Sequence, residues 1–155
     1  IVIASIEVTR PRRYPDPDEL GMTHKTMATV PEAGITLLGH SGLAGQAVLP
    51  GVLNVVLFWR ADRDAPPAQM RALALVDQAG REAWFTSGAP AEGHYPFNLW
   101  CSGEIVRDPI WIDLTQRDDI APGSYSLNLS VAWDDAKQEL ALGELELIAL
   151  ETEYE

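Results

Sequence analysis

Between Tyr125 and Trp133 the side chains alternate with a period of two. Tyr125, Leu127, Leu129, Val131 and Trp133 fall on one face, and Ser126, Asn128, Ser130 and Ala132 on the other. A helix would scatter these apolar residues around its whole circumference, so the spacing specifies a strand. One face meets a core and the other meets water, which is the antiparallel pattern. Pro122-Gly123 just upstream is the turn that launches the strand.

The same grammar recurs along the chain. Pro50-Gly51 precedes Val52 to Arg60, in which Leu53, Val55, Leu57 and Trp59 share a side. Ala72–Asp77 and Arg81–Thr86 flank the turn Gln78-Ala79-Gly80 and read as a hairpin. Glu104 to Leu114 is extended with Pro109 in its middle, which predicts an edge strand or a bulge. Gln138 to Leu150 holds two apolar runs around Gly143, which predicts a bulged strand. Ile35–His40 and Gly45–Val48 add two short strands, and Ile1–Val8 is a further strand-like run. Pro66 to Leu75 offers the one turn of helix, and its spacing does not continue. About eight or nine short strands separated by Gly and Pro predict an all-β, two-sheet antiparallel β-sandwich, immunoglobulin-like or jelly-roll. The 155 residues form a single domain, 1–155, in which 10–31 reads as a long loop rich in proline and charge.

Composition narrows the function classes. Asp and Glu number 23 against 11 Lys and Arg, a net charge of −12, which disfavours phosphate backbones and anionic membranes. Nucleic acid is therefore not an expected partner. No apolar run reaches the ~20 residues that cross a bilayer, so direct membrane insertion of this domain is not expected. The single cysteine, Cys101, has no internal disulfide partner and reads as a small buried filler. A chain that opens inside a strand-like run has the look of a domain excised from a larger polypeptide.

Between Leu38 and Leu147 the order of landmarks resembles a known family. The stretches are Leu38-Gly39-His40, Leu49-Pro50-Gly51 leading to Val56-Leu57-Phe58-Trp59-Arg60-Ala61, and Leu75-Val76-Asp77 with Gly80. Next come Tyr95-Pro96 with Trp100, Gly103-Glu104-Ile105-Val106 with Asp108, Pro122-Gly123-Ser124-Tyr125, and Leu142-Gly143. They resemble the β-sandwich domain that lies C-terminal to the membrane part of bacterial multi-pass glycosyltransferases of the dolichyl-phosphate-mannose protein mannosyltransferase-like class. The resemblance implies a non-catalytic accessory module on the extracytoplasmic side, with the parent membrane domain as its partner. The segment Pro11 to Val30 departs from the family pattern.

The residues themselves carry little reactive chemistry. His24, His40 and His94 stand in no spaced catalytic motif, and Ser41 beside His40 makes no triad by adjacency alone. No catalytic residue is expected, and no cofactor. Asp16/Asp18, Asp118/Asp119 and Asp134/Asp135 sit in predicted loops, where oxygen-rich turns suit calcium. Aspartate is commoner there as a turn former, and no metal is expected. Arg107 with Asp108, and Arg60 with Asp62, read as surface pairs.

Five tryptophans each need a place. Trp59 and Trp133 fall on apolar strand faces and belong to the core. Trp84 is less determined, and Trp111 lies between Ile110 and Ile112, so either face of its strand can be the buried one. The loop from His94 to Trp100 concentrates aromatic rings. His94, Tyr95, Asn98 and Trp100 are the candidate carbohydrate-contacting residues, a flat ring platform with polar neighbours. The competing reading is that this loop caps one open end of the sandwich, which the usual burial of large aromatics favours. Function is thus expected to be structural or weakly carbohydrate-contacting. The alternative is an immunoglobulin-like module that binds protein through a sheet face or edge.

Overall fold

Every strong alternation becomes a strand. In the computed structural model, which describes residues 14–151, the strands are β1 (His24–Val30), β2 (Ile35–Ser41), β3 (Gln46–Leu49), β4 (Val52–Ala61), β5 (Met70–Asp77), β6 (Glu82–Gly88), β7 (Ile105–Asp113), β8 (Gly123–Trp133) and β9 (Ala136–Ala149). They form a four-stranded sheet, β1-β2-β4-β7, and a five-stranded sheet, β3-β9-β8-β5-β6. The chain is an all-β sandwich. Helical structure among the described residues is confined to single 3-10 turns. The strand-like run Ile1–Val8 lies outside the described residues.

The core fills the space between the sheets. Leu53, Val55, Leu57 and Trp59 of β4 meet Leu127, Leu129 and Val131 of β8 and Leu73 and Leu75 of β5, all buried. Among the described residues β7 pairs only with β4, and an edge strand of that kind tolerates Pro109. In β9 the register slips where Leu127 and Asn128 pair with Gly143 and Ala141, leaving Leu142 as the bulged residue.

Three expectations are corrected. Within segment 10–31 the described part, 14–31, is not one long loop. Asp16 caps the turn Pro17–Glu19, and Leu20 and Met22 pack on a second cluster, Leu38, Val56 and Phe58, on the outer face of the four-stranded sheet. His24–Val30 is then an edge strand against β2. It escaped the pattern because its side chains are nearly all exposed and its register breaks between Lys25 and Ala28. At Gly39 an added Cβ would lie 2.1 Å from the His24 carbonyl, so only glycine lets β1 approach this closely. Second, β3 pairs with β9 in parallel. The chain leaves one sheet after β2, lays four residues on the edge of the other, and returns as β4. Third, the stretch from Pro66 holds no helical turn. It runs irregularly into β5.

Candidate functional site

The loop between β6 and β7 closes one end of the sandwich. Trp100 is 1% exposed and Phe97 equally buried, and their rings meet at 4.6 Å between centroids. Trp59 abuts Phe97 edge-on at 5.9 Å, which ties the loop to the core. Trp100 Nε1 donates to the Tyr95 carbonyl at 3.0 Å, and Tyr95 Oη donates to Glu104 Oε1 at 2.6 Å. Burial, and then Glu104, push the Tyr95 hydroxyl up to about 12, so it remains a donor. The four residues expected to bind sugar therefore separate. Trp100 offers no ring face, Tyr95 is half-buried with its hydroxyl committed, and only His94 and Asn98 are exposed. Asn98 borders a hollow of about 460 Å³ with Pro67, Phe97 and Asp134, but that hollow has no exposed aromatic ring.

An exposed ring occurs instead on β7. Trp111 is 55% exposed. It borders an open cleft of about 370 Å³ between the edges of β6 and β7 that are unpaired among the described residues, with Thr86, Ser87, Gly88, Glu92 and Arg71 on the other walls. Because β6 and β7 are the last strands of their sheets on the same side, the cleft follows from the topology.

Asp108 organises this end of the molecule. The sequence reads it as a surface partner of Arg107, yet consecutive strand residues point to opposite faces, and Asp108, at 0% exposure, faces inward on the same side as Val106 and Ile110. Its carboxylate accepts from Arg71 Nε at 2.8 Å and Nη2 at 3.0 Å, a bidentate fork. It also accepts from Trp59 Nε1 at 3.3 Å and from the Ala91 backbone N–H at 2.9 Å. Ala91 and Glu92 both hold positive φ, 53° and 56°, where side chains are strained. The bond to Asp108 pins that turn against the cleft. Arg107, on the outer face, lies over the Phe58 ring at 5.9 Å, and Arg60 pairs with Asp62 at 2.9 Å as expected.

The other candidates have local roles. Asp16 caps a turn, Asp18 pairs with Lys25, and Asp119 is held down to about 2, chiefly by hydrogen bonding to Arg117. No group of three or more metal-ligating side chains occurs among the described residues. Cys101 is half-buried. His40, 2% exposed, stacks on His24 at 4.7 Å and reaches the Leu142 carbonyl through Nε2 at 3.1 Å. That carbonyl can only accept, so Nε2 carries the proton and the buried Nδ1 has no partner.

Burial, with a smaller push from His24, holds His40 below its ordinary value against the opposing bond to Leu142. An unfolded histidine titrates near ~6.5. Below that pH the unfolded chain takes up a proton that the folded chain refuses, so stability is intact above it and falls as pH drops toward the folded value. Urea midpoints are expected to decline from pH 7 to 5 in the native protein and to flatten over that window in His40→Gln. An unchanged slope would show that His40 does not set it.

No family model matches the chain, and no curated protein matches it. Among solved structures the chain is similar to the C-terminal domain of wzt, at 12% identity over 75% of this chain and 74% of that one, with a TM-score of 0.54. Weaker likenesses are the Pseudomonas fluorescens alkylpurine DNA glycosylase AlkC (14% identity, 77% of this chain and 31% of that, TM-score 0.47) and the CARDB domain of the Pyrococcus furiosus PF1109 protein (12%, 89% and 99%, TM-score 0.40). The likeness to the wzt domain is one of fold alone.

Proposed function

We propose that this chain is a non-catalytic accessory domain of a membrane glycosyltransferase-like protein, held on the extracytoplasmic side, which contacts carbohydrate through the cleft between β6 and β7. The observation that carries the saccharide reading is Trp111. A large ring left 55% exposed beside a cleft that also presents Thr86, Ser87 and Glu92 is the arrangement that stacks a sugar's C–H face and hydrogen-bonds its hydroxyls. The accessory role rests on the family resemblance, whose landmarks Leu38, Trp59, Trp100 and Tyr125 are framework residues of the sandwich. No helix among the described residues is long and apolar enough to cross a membrane, so the anchoring part of such a protein is sought elsewhere in it.

The test is amide-resolved NMR titration with methyl glucoside, mannoside and galactoside and their short oligomers. Shifts are expected at Thr86, Ser87, Gly88 and Trp111. In Trp111→Ala, affinity is expected to fall at least roughly tenfold, about 1.4 kcal/mol. Because the ring is exposed, stability should stay within about 0.5 kcal/mol of the native value. Identical titrations of both proteins would remove the reading.

A further inference from the structure

We infer that the β6/β7 cleft selects a polyhydroxylated ligand without negative charge, a neutral pyranose rather than an acidic sugar, and that Arg71 Nη1 is the fixed donor that reads it. This rests on the saccharide reading of the cleft. Arg71 is 5% exposed, and its Nε and Nη2 are committed to Asp108. Nη1 has no hydrogen-bond partner among the described residues and is not enclosed, since Arg71 forms part of the cleft wall. It lies 3.9 Å from where a Cβ would stand on Gly88, another wall residue. Glycine at that position keeps the nitrogen open to the cleft.

The charge pattern decides the ligand class. Asp108 neutralises Arg71 inside the wall, while Glu92 stands exposed at the rim of a chain carrying net charge −12. A carboxylate or phosphate entering the cleft meets that negative field without a free positive charge to answer it. A hydroxyl satisfies both sides: its oxygen accepts from Nη1, and its hydrogen is donated to Glu92 or to the threonine and serine hydroxyls. Trp111 takes the apolar ring face, which neutral pyranoses present and charged substituents interrupt.

Three matched pairs test this: the methyl glycosides of glucose, mannose and galactose, each against its uronic acid, titrated at low salt. The native protein is expected to bind the neutral member at least about tenfold more tightly, and Glu92→Gln to bring each pair within about threefold. Gly88→Ala should leave the melting temperature unchanged while weakening neutral-sugar binding at least about threefold, because its methyl covers Nη1. Uronates binding as tightly as neutral sugars, with Trp111→Ala still abolishing both, would overturn this inference and leave the saccharide reading standing. No binding of either member, or binding indifferent to Trp111→Ala, would overturn both.

Discussion

Asp108→Asn is expected to lower the free energy of unfolding by about 3–5 kcal/mol, the range for breaking a buried ion pair by removing one partner. The exchange is nearly isosteric, so neither a cavity nor lost apolar area explains such a loss. It follows from what the carboxylate holds. With the charge gone, the Arg71 guanidinium is left almost fully buried without its counter-ion, and the asparagine turns an NH₂ toward donors where an acceptor stood. The Trp59 indole and the Ala91 N–H, both donors into the same carboxylate, lose strength as well. Paired replacement by apolar residues behaves differently. Arg71→Met with Asp108→Leu removes both charges, and most of the lost stability is expected to return, since a buried pair contributes little beyond a well-packed apolar equivalent. Urea unfolding of the native protein, the single variant and the double variant measures both numbers. A single-variant loss below about 1 kcal/mol, the scale of an exposed pair, would mean that the carboxylate is not buried. In the double variant neutral-sugar binding should weaken at least about threefold although the fold returns, because Arg71 Nη1 is gone.

Asp108 also marks the limit of what the sequence discloses. Period-two reasoning places β4, β5, β8 and the Gly143 bulge of β9, because in each one face is almost wholly apolar. Along β7 the same rule puts Asp108 with Val106, Ile110 and Ile112, yet a charge on a core face invites assignment to the surface. Its partner Arg71 is 37 residues away on another sheet, beyond any local signal. Trp111 was undecidable for a related reason: tryptophan between two isoleucines fits either face, and only the pairing of β7 with β4 turns Ile110 and Ile112 inward. Alternation around Asp108 itself offered the clue, because an inward Asp108 forces an outward Trp111. β1 gave no such clue. An exposed, bulged edge strand has neither a buried face nor regular register, and both sequence signals derive from those. The cleft was hidden for the same kind of reason: it exists only because β6 and β7 end their two sheets side by side.

Trp100→Ala separates the cap of the sandwich from its candidate site. Trp100 is 1% exposed and wedged between Phe97 and Tyr95, so its removal is expected to cost about 3–5 kcal/mol, the range for truncating a buried aromatic. Part of that is the indole N–H bond to the Tyr95 carbonyl; most is the void left under the loop. Tyr95→Phe should cost about 1–2 kcal/mol, because Glu104 loses the hydroxyl it accepts from but keeps the Cys101 N–H. Glycan binding by Trp100→Ala, measured at a temperature and ligand excess where the variant is folded, should remain within a few-fold of native. Trp111→Ala is expected to show the opposite profile, with native stability and binding lost. The two tryptophans are eleven residues apart in sequence, and burial separates them: Trp100 is enclosed in the cap and Trp111 stands exposed beside the cleft. A stable Trp100→Ala that no longer binds sugar would return the platform to the His94–Trp100 loop and take it from β7.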